Sequence, residues 1–370
     1  MKRAFLNGII LLMSLSCVGC QMEKKQVEQK ESGQKVDIIR VEQRQETDYS
    51  VLVEELLNMT MKEYKKKGGT IVTEKGTSDN GECTIERVEY ADEENELTVV
   101  HAVDDPYCTA HSGSYYYKGD NAGRAYQDTM EDYGMADSFH PNRLRADYPK
   151  EEITGCSKEE VIAECQKLAK ATGYENSIVN VYAMTVDALN RNYKANGGVG
   201  MGRPTKYSID ENPEEFWKNQ EEWTEEYEAM YLVYQPIVND VEIDAESGTQ
   251  SLEIIYSPKY KRIVYASWQY PFQDGTIEKE EEIVSEDTAK QTVAMAVGIK
   301  DEKNIVYDNI QLANAVTIND TRLSEEHLLV PVWRVDYHLL NSAEYKGNDA
   351  YKTALVNAVT GKMCQLTAED

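Results

Sequence analysis

Twice in the second half of this chain a serine-capped amphipathic segment is followed by an unusually apolar strand and then a hairpin, and that order constrains the fold class most. In Ser157, Lys158, Glu159, Glu160, the serine hydroxyl and the Glu160 carboxylate can each satisfy an exposed backbone group, which marks a helix start. Val161, Ile162, Cys165, Leu168, Ala169 and Thr172 then fall on one helical face, and Gly173 supplies the stop. Ser285 opens a second, shorter helix whose Ala289, Val293, Ala296 and Val297 share a face before Gly298. The apolar strands run from Met230 to Val238 and from Leu328 to Tyr337. Leu252 to Tyr256 and Arg262 to Trp268 form the first hairpin; Tyr351 to Ala358 and Lys362 to Leu366, about the Thr360 and Gly361 turn, form the second. The expected unit is a helix plus three antiparallel strands, one sheet face on the helix and one on water, so the class is α+β. Trp333 is predicted to be a buried anchor between its sheet and the Ser285 helix. Pro331 has no N–H to donate, which argues for an edge or a strand start there.

Upstream, Val51 to Lys67 predicts one amphipathic helix: Leu52, Leu56 and Met59 recur at helical spacing, Val53 and Leu57 widen the stripe, and Gly68 and Gly69 end it. Thr70 to Thr73, Cys83 to Tyr90 and Glu96 to Val103 show β-branched alternation between turns, giving an N-terminal helix plus a small antiparallel sheet. A further helix is expected over Ala122 to Tyr133. The blocks are therefore 51–155, an N-terminal α+β region, then 156–273 and 283–370, the two units. The long insertion from Asn190 to Asn212 leaves the first unit's inner boundaries open.

The chain begins MKRAFLNGIILLMSLSCVGC, basic at Lys2 and Arg3 and apolar from Ala4 to about Leu15. As a helix, roughly twelve residues rise about 18 Å, too short for a hydrocarbon core about 30 Å thick, so residues 1–19 read as a secretion signal. Ser16, Cys17, Val18, Gly19, Cys20 resembles the bacterial lipobox. That resemblance implies a diacylglyceryl thioether on Cys20 and a lipid anchor on the extracytoplasmic face of a bacterial membrane. From Gln21 to Asp48 the chain is Gln, Glu and Lys with a few scattered Val and Ile, so residues 20–50 are expected to form a flexible tether spanning about 30 Å. A short helical patch is the alternative there. With 66 Asp and Glu against 39 Lys and Arg, the formal charge is −27. That excess repels phosphate backbones, and with no basic stripe in the sequence, nucleic acid is excluded as a partner.

The combination LLVPVWRVDY followed by KTALVNAVTGKM is similar to the end of PepSY-type domains and of the extracytoplasmic YycH and YycI regulators, where an apolar strand precedes an Asn-Ala-x-x-Gly hairpin. YLVYQPIVNDVEI is similar to the matching strand and loop. With the lipobox and tether, the whole chain resembles the uncharacterised clostridial cell-surface lipoproteins that carry such modules. The resemblance implies two PepSY-like units from residue 156 onward and brings no active-site residues with it.

His101, Asp104, Asp105, Cys108 and His111 crowd possible metal ligands, but no HExxH or paired CxxC spacing is present, and a polar loop after a strand accounts for them. Asp240, Glu242, Asp244 and Glu246 fail as a calcium loop, with Ala245 at the glycine position and Ser251 at the closing glutamate; they read as one solvated strand face. Gly197, Gly198, Gly200 and Gly202 read as a loop tip, and no GxSxG elbow occurs. No catalytic residue, cofactor or metal is therefore expected. Outside the lipobox, Cys83, Cys108, Cys156, Cys165 and Cys364 leave disulfide pairing open, with Cys165 on an apolar helix face. Tyrosine is abundant, 25 against four Phe and four Trp. The Tyr115, Tyr116, Tyr117 run and the Phe216, Trp217, Trp223, Tyr227, Tyr231 group could stack on ligands, though the second group first reads as a buried stripe. Tyr115, Tyr116, Tyr117, Trp217 and Trp223 are the candidate ligand contacts. The expected function is a non-enzymatic surface lipoprotein that binds or regulates a protein or peptide partner in the envelope. A lipoprotein capturing glycans or small solutes is the alternative, and an exposed cleft shared by those aromatics would favour it.

Overall fold

Side-chain caps set the phase of the helical layer. The computed structural model describes residues 31–41, 48–78, 81–92, 96–102, 114–118, 148–195, 223–243, 251–268, 271–272, 275–298, 304–317, 327–340 and 351–364. Helix α1 (Tyr49–Leu57) starts at Asp48, whose carboxylate accepts from the backbone N–H of Ser50 at 3.0 Å and of Val51 at 3.4 Å. The single helix expected over 51–67 is in fact two. Asn58 takes a left-handed conformation (φ 51), which asparagine tolerates better than most residues, and Thr60 with Glu63 forms a capping box that restarts the chain as α2 (Met61–Lys66). Helix α3 (Lys158–Thr172) carries the expected box: Ser157 Oγ accepts from Glu160 N at 3.3 Å while the Glu160 carboxylate accepts from Ser157 N at 3.1 Å, and Gly173 closes it at φ 93. Helix α4 (Val186–Ala195) runs into the first unit's insertion, which starts at Asn190. Helix α5 (Glu286–Ala296) starts at Ser285, which accepts from Thr288 N. From each of the caps Asp48, Ser157 and Ser285, the residues four and eight positions on are buried: Leu52 and Leu56, Val161 and Cys165, Ala289 and Val293. Ala296, expected on the buried face, is exposed because the stripe of α5 ends before it.

Each of these helices leads into an antiparallel meander. Strand β1 (Glu31–Val41) precedes α1; β2 (Thr70–Ser78), β3 (Gly81–Ala91), β4 (Glu96–Ala102) and β5 (Ser114–Lys118) follow α2. After α3 come β6 (Ser177–Met184), β7 (Ala229–Val238), β8 (Val241–Glu242), β9 (Leu252–Ser257) and β10 (Arg262–Trp268). Strand β11 (Thr276–Val284) leads into α5, and β12 (Ile305–Thr317), β13 (His327–Leu339) and β14 (Tyr351–Asn357) follow. One sheet has the order β2-β3-β4-β5-β10-β9-β7-β6 with β8 on β7; the other has the order β11-β1-β13-β12 with β14 on β13. The N-terminal region and the first unit, expected as separate blocks, thus share one sheet, joined by the last strands of their meanders, β5 and β10. Helices α1 and α3 pack together over one face of it, and Arg262 of β10 donates to the Leu56 carbonyl at 3.0 Å.

Each C-terminal unit has a strand that sequence patterning did not show, β6 or β12, directly after its helix. Asn180 in the first, and Asp308, Asn309, Gln311 and Asn314 in the second, break up the apolar run that sequence patterning looks for. The correspondence between the units is close. Tyr256 faces Ile263 across the first hairpin and Val356 faces Met363 across the second, each pair seven positions apart. Val179 and Tyr307, each 22 positions after its cap serine, face Tyr234 and Tyr337. Immediately afterwards a bulge in β12 inserts Asp308. The return arm expected from Lys362 is present among the described residues as the Val356 to Met363 bridge alone.

The tether is the largest correction. Its residues Glu31–Val41 form β1, which lies between β11 and β13. Ile39 and Val41 bury themselves with Val238, Ile243 and Phe272 of the first unit and Leu329 of the second, so a segment read as leash fills the joint between the two. Its charged residues hid a short apolar set that the neighbouring strands complete. Pro331 lies inside β13, not at an edge: its carbonyl accepts from Ala358 N, and it falls between Leu329, where pairing with β1 stops, and Val332, where pairing with β14 begins. The missing N–H therefore faces a gap in the ladder.

Trp333 packs with Ala289 and Val293 of α5, and its Nε1 donates to the Val284 carbonyl at 2.9 Å. Trp333→Ala should lower unfolding free energy in urea by about 3–5 kcal/mol. An unchanged midpoint would contradict this placement.

Candidate functional site

The face of the large sheet turned away from α1 and α3 is divided in two. Over β6, β7, β9 and β10 it is covered: Tyr182, Met184, Tyr231, Val233, Ile255, Val264 and Tyr265 pack with Ala188 and Leu189 of α4, with Tyr148 and with Trp223. Helix α4 and the segments around Tyr148 and Trp223, on either side of the insertion, supply this cover. Asn190 of α4 accepts from Trp223 N at 3.1 Å and donates to its carbonyl at 3.0 Å, and the Glu228 carboxylate accepts from Val186 N at the start of α4. Trp223 is 2% exposed, edge-on to Tyr227 at 5.3 Å, so both faces of its indole are engaged by protein. Of the other candidate aromatics, Tyr115, Tyr116 and Tyr117 lie on β5, in register with Trp268, Ser267 and Ala266. Tyr116 shares a ladder row with Ser267 and Glu253. Trp217 lies outside the described residues, as do Cys20, Cys108, Asp104, Asp105, His111, the segment Ala122 to Tyr133, Gly197 to Gly202, and Asp244 with Glu246.

Buried polar groups occupy matching places in the two units. In the first, Glu253 is buried opposite Val233, with the Ser251 hydroxyl 3.5 Å from its carboxylate, and Asn180 donates to Gln235 at 2.9 Å. In the second, Arg334 Nε donates to Asp336 Oδ1 at 3.1 Å and Thr353 Oγ1 donates to the same oxygen at 2.7 Å, with Arg334 at 1% and Asp336 at 3% exposure. When the hairpins are aligned, Val233 with Glu253 and Asp336 with Thr353 are the same ladder pair, the carboxylate having changed strands. The inserted Asp308 meets His338 Nδ1 at 2.8 Å. Sequence reasoning passed over these groups. Arg334 and Asp336, two apart in an otherwise apolar strand, were the available signal, since same-face opposite charges amid apolar residues read as a buried pair. Asp240, assigned to a solvated strand face, sits instead in the tight β7–β8 turn, where Asn239 and Asp240 both take positive φ; Glu242, on β8, accepts from Gln311.

Among the described residues Cys156 and Cys165 are thiols outside any disulfide. Burial pushes the Cys165 and Cys156 thiols above their ordinary range, which keeps them protonated and poorly nucleophilic.

The sheet edges are less protected. Ile71 and Val72, successive residues of β2, are 40% and 42% exposed, so neither face of that edge strand is covered at this end. Ile178 on the β6 edge and Ile277 on the β11 edge are also exposed. Of the sequence features, the Thr70 to Thr73 β-branched run was the nearest hint, but position at an edge is a property of the assembled sheet.

No protein-family model matches the chain, and no curated protein matches it. Among solved structures, an uncharacterised protein from Eubacterium rectale is similar at 12% identity with a TM-score of 0.53, over 90% of this chain and 86% of that one. The C-terminal domain of Bacillus megaterium YpeB aligns at 13% identity with a TM-score of 0.35, over 85% of this chain and 92% of that one. The first of these likenesses is one of fold.

Asp336→Ala should cost about 3–5 kcal/mol by removing the carboxylate that faces a buried guanidinium. A loss below about 1 kcal/mol in urea unfolding would contradict the burial of the pair. Maleimide labelling mapped by mass spectrometry should leave Cys165 unmodified in the native protein and modify it after denaturation; native labelling would contradict its enclosure.

Proposed function

We propose that this chain is a non-enzymatic lipoprotein of the extracytoplasmic face of a bacterial cell membrane, anchored through Cys20, whose PepSY-like helix-on-sheet units bind and regulate a protein or peptide partner in the envelope. The observation that carries this reading is the placement of exposed large apolar side chains on edge strands, Ile71 and Val72 above all. A strand edge offers a row of backbone donors and acceptors that an extended polypeptide matches along its length, with side chains of alternate residues supplying specificity. Sugars, by contrast, require open aromatic faces, and Trp223 has none. The lipobox resemblance supports the address, and the repeated helix-and-meander order supports the PepSY-like reading. Among the described residues no helix is long and apolar enough to cross a membrane.

A palmitate analogue fed to cells should label the wild-type chain and not Cys20→Ala; label retained in that variant overturns the anchor. A photo-reactive residue at Val72 should cross-link a discrete envelope protein in cells, while the same probe at Tyr260, exposed in the β9–β10 turn, should not. Equal products from both positions would overturn strand-edge recognition.

A further inference from the structure

We propose that the space between β11 and β13 is a strand-acceptor slot, held closed by the chain's own β1, and that the envelope partner enters it as an extended basic segment bearing Ile or Val, displacing β1. This rests on the partner-binding reading above and adds to the β2 edge a second contact site for the same partner, in the other sheet. Four observations carry it. First, β1 is the neighbour through which β11 joins its sheet, so an empty slot would strand β11, and the slot is vacated by exchange with another strand. Second, the hold on β13 is short: Ile39, Arg40 and Val41 pair with Leu329, Leu328 and His327, and the ladder with β11 is irregular at two places, between Glu31 and Lys35 and between Ile38 and Ile39.

Third, the recognition chemistry is visible in the present occupant. Strand β11 carries Glu278, Glu280, Glu281 and Glu282 against one Lys279. The β1 segment, neutral overall because Glu31 and Asp37 balance its two cations, answers with Lys35 Nζ on Glu280 at 2.8 Å and Arg40 Nε on Glu278 at 2.6 Å, and a partner without those carboxylates would match β11 better. Both pairs are solvent-accessible, which leaves them screened by salt and open to competition from another cation. Ile39 and Val41 enter the apolar joint formed by Val238, Ile243, Phe272 and Leu329, and these positions select the side chains of any incoming strand. Fourth, Gly275 admits β1 only because it lacks a side chain: a Cβ there would collide with the Arg40 carbonyl oxygen. The slot thus has a charge code, an apolar register and a close backbone approach, all satisfied by a removable strand. Glu31 lies eleven positions after Cys20, so tension on the anchor would act directly on this strand.

The test uses the full chain and a fluorescein-labelled synthetic peptide of residues 31–41. The peptide should bind the wild-type chain weakly and bind Arg40→Glu, or Lys35→Glu as an independent variant at an exposed position, at least tenfold more tightly, because the resident strand is loosened. A peptide carrying both charge reversals should fail on those chains and bind a Glu278→Lys, Glu280→Lys chain. Equal binding of native and reversed peptides, or no gain in either loosened variant, overturns the slot. If the Val72 cross-link in cells persists while the chain takes up no peptide, the slot is wrong and the partner reading stands. Peptide uptake with no cross-linked protein supports the slot and counts against that reading.

Discussion

An antiparallel sheet with one apolar face is stable only when that face is covered, and here the cover is a helix whose apolar stripe begins four residues after its cap. Asp48, Ser157 and Ser285 set that phase, and the strands that follow receive it. Because α1 and α3 meet over one sheet, their meanders can join through β5 and β10, and Lys167 of α3 reaches Glu55 of α1 at 3.0 Å across the seam. The second sheet has α5 as its cover, with Trp333 filling the space between them. Large buried side chains and short helices are complementary in this design: the stripe of α5 is brief, and the indole supplies contact area that Ala289 and Val293 do not.

Much of this order was legible in the residues. The Ser157 and Ser285 caps, the first hairpin, the apolar strands, Cys165 in the core and Trp333 as an anchor follow from local patterning, because each is signalled within about fifteen residues by periodicity or by a capping residue. What escaped depends on distant partners. Strand β1 has a polar composition in isolation and becomes a strand because β11 supplies glutamates for Lys35 and Arg40 while four separate elements supply walls for Ile39 and Val41. Strand β6 carries an asparagine accommodated only in the assembled sheet, where Asn180 donates to Gln235, and β12 interrupts its apolar residues with Asp308, Asn309, Gln311 and Asn314. The break at Asn58 was available in Thr60 and Glu63, a capping box overshadowed by the continuous stripe on either side. The candidate site was less legible than the fold. The aromatics that attracted attention include Trp223, which is enclosed, whereas the accessible features are strand edges, and no residue type announces that its strand will be outermost.

The same topology would connect the proposed anchor at Cys20 to the proposed recognition surfaces. A leash over residues 20–50 would let the folded part move independently of the proposed anchor, but β1 in the second sheet carries the chain N-terminal to α1 into the joint between units. Exposed ion pairs and a three-residue hold on β13 fasten β1 lightly beside a buried apolar joint. Strong enclosure and weak fastening in one place are what a displaceable strand requires. The charge balance is also consistent: in a chain of net −27, a basic segment is the polypeptide that long-range attraction brings in.

The central claim is that residues 31–41 are an integral strand with a separable hold, and amide hydrogen exchange on the native full chain addresses it directly. The account predicts protected amides within Ile38–Val41, opening at lower free energy than the α5-packed region of β13 around Trp333 and together with β11. Exchange of Ile38–Val41 at the rate of an unstructured peptide would contradict the strand, and protection equal to that around Trp333 would contradict its separability.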